Sequence, residues 1–596
     1  MDIPQAQLHT IDYTIIGLYL VFALGVGVVL SKKASQGAEA YFLGGRSLPW
    51  WAIGISMVAT SFASDTPLFV TEVVREHGLQ RLWWILAWVI MLVVGIFLFS
   101  RLWRRAKIIT DAEFYELRYA GKSALFLRAF RAFFSGIVQN LLTMAWVTYA
   151  MSSIMTTMTG IDSRLAIGLC VLVATLYALL SGFYGVVVTD VVQFFLAMIS
   201  MGILAVLAVS HVGGLGSMLD TIANHPAYGQ DTLRIFPDFS TFDQDVMKLL
   251  VFIGIMWWND VNGYNMQRIS ACRNERDAVK ASIFYAIFQT ARPWLWAAVA
   301  LVSIVLYPTL PEGYTDTQAY PLVMNTVLGP GMKGLLVTAF LAAFMSTIDT
   351  HLNWGASYIM TDFYCRFINT KPNPSPKQYM LVTRIVVISL MVLTACMVPL
   401  ITSVQGAMEF FSILIIGYGI ISFARWFWWR INAVTEIAAL VFGLIAAGVH
   451  GILITWFPQS LVIGGVPWKE LDVALKIALL TFIVIPICIL VTLLTPPVPR
   501  ERLEAFYRRV RPGGFWGGIS KETRALPGKV LSAHTWLDVA GGLGLCFGIS
   551  LSIGYGLLTR YGAMAICLLV TALGIVRVAS WYRREVHELE ELKAEV

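Results

Sequence analysis

Charge is scarce in this sequence. Only 13% of its residues are Asp, Glu, Lys or Arg, against about 25% in soluble domains, which excludes a protein surrounded by water. Cysteine is thin too: the seven lie scattered in or beside apolar segments with no closely spaced pair. That excludes a cysteine metal site or redox motif and leaves them as helix-packing residues. The eight histidines form no HExxH, and neither a nucleophile elbow nor a phosphate loop is present. A membrane enzyme therefore lacks a signature, and no stretch between the apolar segments is long enough for a large soluble domain.

Apolar sequence is abundant instead. Hydrophobic residues make up 58% of the chain and the mean hydropathy is +0.71, values of an all-α polytopic membrane protein. Crossing a bilayer takes about 20 apolar residues, and such segments recur from Ile11 to Trp581, giving about 15 transmembrane helices. The expected spans are 11–31, 49–75, 82–103, 125–158, 164–183, 187–211, 248–266, 279–307, 331–362, 379–404, 406–425, 433–456, 473–494, 537–558 and 562–580.

Basic residues gather in alternate loops: Lys32, Lys33 and Arg46; Arg101 to Lys122; Arg268 to Lys280; Arg366 to Lys377; Arg500 to Lys529; Arg583 and Arg584. Roughly thirty Lys and Arg fall on that side against about seven on the other, which makes it cytoplasmic. The expectation is a multi-pass protein of the cell (inner) membrane, N-terminus outside and C-terminus cytoplasmic. The formal charge of +7 follows from this topology and asks for no nucleic acid; the lipid bilayer is the partner it implies. The uncharged or acidic leader Met1 to Asp12 precedes the first span, while Lys32 and Lys33 follow it. That order reverses a cleavable signal peptide, so the first span is expected to stay as an anchored helix.

One apolar segment, from Ala339 to Tyr364, carries hydroxyls at helical spacing. Ser346, Thr350, Asn353 and Ser357 fall three or four residues apart and share a face. Such a face either lines a polar cavity or packs closely against another helix.

Two other spans are interrupted outright. The second contains Ala59-Thr60-Ser61-Phe62-Ala63-Ser64-Asp65-Thr66-Pro67, and the seventh Trp257-Trp258-Asn259-Asp260-Val261-Asn262-Gly263-Tyr264. They stand five helices apart. Carriers built from inverted repeats place a discontinuous helix at matching positions in each half and bind ion and solute at the unwound backbone. Without a use the breaks would be costly: several kcal/mol per unsatisfied backbone group in hydrocarbon, and roughly 2.5 to 3.5 kcal/mol for a midplane aspartate. The alternative is that Asp65 and Asp260 lie near the membrane surfaces and are hydrated.

Four stretches then carry a family resemblance: Gly44-Gly45-Arg46-Ser47-Leu48-Pro49-Trp50-Trp51; Thr110-Asp111-Ala112-Glu113-Phe114 with Arg118; Thr189-Asp190-Val191-Val192-Gln193; and Ser346-Thr347 followed by Asp362-Phe363-Tyr364. In order and spacing, over roughly residues 10–430, the chain resembles the sodium:solute symporter family, which includes bacterial sodium/proline and sodium/sugar carriers. The resemblance implies a five-plus-five inverted-repeat carrier fold with discontinuous first and sixth core helices. Spans two to six would form one half and spans seven to eleven the other. Three regions follow: residues 1–48, a peripheral helix and cytoplasmic loop; 49–430, the transport core; and 431–596, peripheral helices with a cytoplasmic connector at about 495–535.

The resemblance also implies a sodium ion between the first and eighth core helices. Its ligands would be the carbonyls of Ala59, Phe62 and Ala343 and the hydroxyls of Ser346 and Thr347, all oxygens, as a hard cation prefers. Asp190 matches a position used by some relatives for a second sodium or an exit path, and a packing role is equally open.

The solute is less constrained. Where sugar carriers place polar side chains the resemblance puts Thr66, Ile85 and Ile255, and the proline carrier's acidic position falls on Ser61, so neither cargo is favoured. Asp65, Asp260, Arg292 and Glu409 are charges inside expected spans, and such residues pair or line a pathway. Arg292 either faces the cavity, where it could grip a carboxylate, or pairs with an acid. Trp257 and Trp258 either close over the solute or fill gaps between helices. The candidate solute contacts are Asp65, Thr66, Trp257, Trp258, Asn262, Arg292 and Glu409, for a small polar or charged organic molecule. A sodium-coupled symporter is the expected function; a sodium-responsive sensor and an uncoupled uniporter are the alternatives. In the connector, Leu503, Phe506, Tyr507 and Val510 share a helical face opposite arginines, which predicts a short amphipathic helix at the lipid headgroups.

Overall fold

The computed structural model describes residues 8–34, 38–240, 243–255, 257–261, 263–369 and 376–594, most of them helical. Among these, ten helices are long and apolar enough to cross a membrane, and twelve when each of two bent pairs counts as one span. The expected fifteen is not reached by this criterion, for identifiable reasons. Ser163–Leu179 is apolar but short, because Gly182 (φ 55°, ψ 173°) kinks the helix that continues to His211. The helical run from Gly121 to Thr159 carries Lys122, Arg128 and Arg131, which lower its hydropathy. The seventh expected span is divided into Gln244–Gly254 and Tyr264–Ala271.

Both interruptions read from the sequence are present. Trp50–Thr60 and Asp65–His77 meet at an angle of 50° across residues 61–64. A side-chain hydroxyl reinforces the first break: Ser61 Oγ donates to the Met57 and Val58 carbonyls at 2.9 and 3.1 Å, competing with the helical ladder as serine does near helix ends. In the second break Gly263 sits at φ 67°, a conformation that costs an L side chain about 1–2 kcal/mol. A further bend of 49° separates Val404–Leu414 from Ile416–Phe427.

Packing gathers these pieces around the Met332–Tyr358 helix, which is buried along nearly its whole length. It contacts the Trp50–Thr60, Tyr264–Ala271, Asn140–Thr159 and Ser163–His211 helices. Close approach is built into the sequence: a Cβ on Gly355 would stand 2.3 Å from Asn140 Nδ2, the same amide that donates to the His351 carbonyl at 2.8 Å. The peripheral Thr10–Ala34 helix lies against this assembly. Its Asp12 Oδ1 accepts from the Gly331 and Gly334 N–H groups, each at 2.7 Å, capping donors that the start of Met332–Tyr358 leaves free.

The connector helix, Arg500–Val510, departs from expectation. Leu503, Phe506, Tyr507 and Val510 do form one face, but they are buried against the chain's own aromatics. Phe506 meets Phe114, Trp426 and Trp516 at centroid distances of 5.6–5.8 Å. The apolar face is covered by protein, so it has no apolar surface left to offer headgroups.

Candidate ion and solute sites

The two adjacent hydroxyls of the Met332–Tyr358 helix point to different neighbours. Thr347 Oγ1 donates to the Thr60 carbonyl at 2.9 Å, at the last helical residue before the first break. Ser346 Oγ donates to Asp190 Oδ1 at 2.5 Å, and Asp190 Oδ2 accepts from Ser56 at 2.5 Å. Ala343 is buried one turn earlier on the same helix. Ala59 and Phe62 are buried beside the break, with the Phe62 N–H donating to the Ala59 carbonyl at 3.2 Å. Ala343, Ser346 and Thr347 therefore come from the central helix, and Ala59 and Phe62 from the end of Trp50–Thr60 and the break that follows it, which meet at this point.

An arginine completes this cluster. Arg268, which the charge pattern groups with a cytoplasmic loop, is fully buried on Tyr264–Ala271. It donates to Ser56 Oγ at 2.9 Å, Thr60 Oγ1 at 2.5 Å and Thr350 Oγ1 at 2.7 Å, and stands 3.5 Å from Asp190. The lower part of the polar stripe is thereby spent on packing: Thr350 on Arg268, Asn353 on Gln267 at 2.8 Å, Ser357 on the Trp354 carbonyl at 2.6 Å. Arg268 has a signal in the sequence, since it stands only a few residues after the second break. Asp349, also buried on the central helix, has both carboxylate oxygens without a partner among the described residues.

The residues named for solute contact scatter. Asp65 Oδ2 accepts from Trp146 Nε1 at 2.7 Å, and half-buried Thr66 donates to Asp65 Oδ1 at 3.2 Å. Arg292 faces the first break: it donates to the Val58 carbonyl at 2.9 Å and the Ser61 carbonyl at 2.5 Å, and also bonds Gln289. Its guanidinium lies over Phe62 and Trp296, and its partners are carbonyls, where an acid was the expected alternative to a cavity. Glu409 is paired with Lys476 at 2.6 Å. Trp257 packs edge-on to Trp258 and Phe423. Trp258 lines a small cavity of about 50 Å³, and Asn262 lies outside the described residues. Asp260, the other charge at the second break, is bound by Arg425 at 2.6 Å and Trp426 Nε1 at 2.9 Å.

A larger cavity of about 290 Å³ opens beside the second break. Asn259, Val261 and Gly263 of the second break line it, with Trp84, Trp88, Tyr264, His351, Trp354 and Phe411. From the Gly121–Thr159 run come Arg131, Gln139, Thr143 and Trp146, none named from sequence. Their signal was a polar face on an apolar run, at spacings of eight, four and three. The π-helical turn Phe134–Gln139 sits between them, a distortion frequent at functional sites. A second cavity of about 600 Å³ lies among Arg104, Arg105, Lys107, Arg276 and Arg509, at helix ends away from both breaks.

Residues 41–443 match the sequence profile of the sodium:solute symporter family. A sodium/glucose cotransporter of Vibrio parahaemolyticus is 25% identical over 434 residues, covering 68% of this chain and 77% of the relative. The sodium/sialic acid symporter SiaT of Proteus mirabilis (strain HI4320) is 27% identical over 399 residues, covering 64% and 77%. A solved structure, the substrate-bound outward-open state of a Na+-coupled sialic acid symporter, superposes with a TM-score of 0.68 at 22% identity, over 83% of this chain and 100% of that one. That likeness shows the fold, the five-plus-five inverted-repeat carrier with its first and sixth core helices discontinuous.

Proposed function

The chain belongs to the sodium:solute symporter family, and from that premise we propose a secondary active symporter that imports a small polar or charged organic solute together with sodium. The observation that carries this is the Thr347–Thr60 contact at the first break, beside Ser346 on Asp190. Sodium is held by the carbonyls of Ala59, Phe62 and Ala343 and the hydroxyls of Ser346 and Thr347. A hydroxyl that donates to a carbonyl still has lone pairs to give an ion, and a broken helix supplies carbonyls outside the regular ladder. Asp190, bonded to Ser346, takes a second sodium or marks the exit path.

Sodium ties the Met332–Tyr358 helix to the break in the second span and so favours the outward-open arrangement. Solute entry into the 290 Å³ cavity permits closure, and inward opening releases both; a ligand biases such states only through unequal affinity for them. At about 100 mV one sodium charge gains roughly 2.3 kcal/mol, and a tenfold gradient adds about 1.4 kcal/mol, enough for on the order of five-hundredfold accumulation of an uncharged solute. For a monoanion moved with one sodium the potential term cancels, and the gradient alone supports about tenfold. The solute leaves chemically unchanged, so no catalytic residue is assigned. The protein works in the cell (inner) membrane, N-terminus outside and C-terminus cytoplasmic, with residues 49–430 as the transport core and no nucleic-acid partner.

The test is thermal stability of the purified protein in sodium, potassium or choline chloride. Sodium should raise the midpoint by an amount that grows with concentration. Equal midpoints in the three salts would leave a uniporter.

A further inference from the structure

The solute cavity has one permanent charge among the described residues that line it, Arg131. Its side chain is 2% exposed, and its guanidinium lies 4.0 Å from the centre of the Tyr418 ring. The nearest acid is Asp111, 3.7 Å from Nη2. Asp111 is itself shared, since Oδ2 accepts from the Gly263 N–H at 3.2 Å and Oδ1 from the Tyr358 hydroxyl. Nε and Nη1 of Arg131 are buried without a hydrogen-bond partner among the described residues. Buried charged donors are seldom left so, because each forfeits its hydration with nothing in return.

The other polar groups around the cavity are largely engaged with the protein. Gln139 Oε1 accepts from Ser135, Thr143 Oγ1 donates to the Gln139 carbonyl, His351 Nδ1 is 2.6 Å from Asn140 Oδ1, and Ser412 Oγ donates to the Met408 carbonyl. Asn265 Oδ1 is a buried acceptor with no partner among the described residues. Among the fully buried side-chain atoms of the described lining residues, those left without a partner are therefore two nitrogens of a cation and one acceptor, in a chamber walled by tryptophans. A sugar, with a hydroxyl on nearly every carbon, would find too few partners there and lose much of its hydration.

Resting on the symporter assignment, we propose that the solute is a small organic monoanion, a carboxylate on an aromatic or aliphatic body, with Arg131 as its charge partner. The apolar body lies among Trp84, Trp88, Trp146 and Trp354, and Asn265 accepts one further N–H or O–H where the solute has it. Positive charge in a confined apolar site attracts an anion strongly, and the nearby Asp111 prevents the empty cavity from carrying a full uncompensated charge.

The experiment measures sodium-dependent thermal shifts of the full-length protein with benzoate, 3-phenylpropionate, 4-hydroxyphenylacetate and hexanoate, each beside its neutral amide. At least one acid should stabilise the protein while its amide does not. Arg131→Gln should weaken that acid by at least about tenfold, as loss of a buried charge partner does, while sodium alone still stabilises the variant. Arg131→Lys keeps the charge, guards against misfolding of the glutamine variant, and should retain the preference for acid over amide at lower affinity. Acids and amides binding alike, no acid binding, or an Arg131→Gln variant with wild-type selectivity would each overturn the inference; the last result would make Arg131 a partner of Asp111 alone. A missing sodium shift in the wild type would instead sink the symporter reading.

Discussion

The two broken helices are both fixed by a buried arginine from elsewhere in the chain, but they are fixed differently. At the first, Arg292 grips the backbone, donating to the carbonyls of Val58 and Ser61. At the second, Arg425 grips a side chain, Asp260, and is shared with Glu436 at 3.1 Å. The first break is short, residues 61–64, and the Thr60 carbonyl at its edge meets the hydroxyl-bearing central helix. The second runs from the end of Gln244–Gly254 to the start of Tyr264–Ala271 and turns Asn259, Val261 and Gly263 toward the cavity. A tight break pinned through carbonyls suits a small ion; a wider one pinned through a carboxylate leaves room for an organic body.

The largest effect is expected at Arg425. Replacing it by alanine strands Asp260 and Glu436 as buried acids, a loss of about 3–5 kcal/mol, read as a collapse in the yield of monodisperse protein. Adding Asp260→Asn should restore part of it. Arg292→Ala comes next, costing roughly 1.5–3 kcal/mol for lost charged hydrogen bonds and appearing as a lower thermal midpoint. Arg292→Lys should not rescue it, because one ammonium cannot span two carbonyls as the guanidinium does. If Arg292→Lys behaved as wild type, the backbone clamp would be the wrong description. The smallest is Gly263→Ala. Its φ of 67° and the 3.1 Å approach of a Cβ to Trp354 predict about 1–2 kcal/mol of strain. It should blunt solute binding but leave the sodium shift intact, separating the two breaks.

The breaks themselves were legible, because Ser61-Phe62-Ala63-Ser64-Asp65 and Trp257-Trp258-Asn259-Asp260 interrupt apolar runs at matching places. The run from Ala339 was legible as a polar face, but only the neighbours divide it: Ser346 and Thr347 meet Asp190 and Thr60, whereas Ser357 bonds its own helix. Arginines were the hardest to read. Counting cations places Arg268 in a loop, since the count cannot register that Ser56, Thr60, Thr350 and Asp190 surround it. Arg131 gave no pairing signal along the chain, because Asp111 stands in the turn before Glu113–Arg118, off the helix that carries Arg131. The Leu503–Val510 face read correctly as amphipathic, yet sequence alone could not say that Phe114, Trp426 and Trp516 cover it.

The central claim is that sodium binds between the first break and the hydroxyls of Ser346 and Thr347. The direct test is a sodium titration of the thermal midpoint, at constant ionic strength against choline, for the wild type and for Ser346→Ala/Thr347→Ala. The wild type should rise with sodium, and the double variant should stay flat or need at least about tenfold more sodium for the same rise. A double variant that follows the wild-type curve would contradict the assignment.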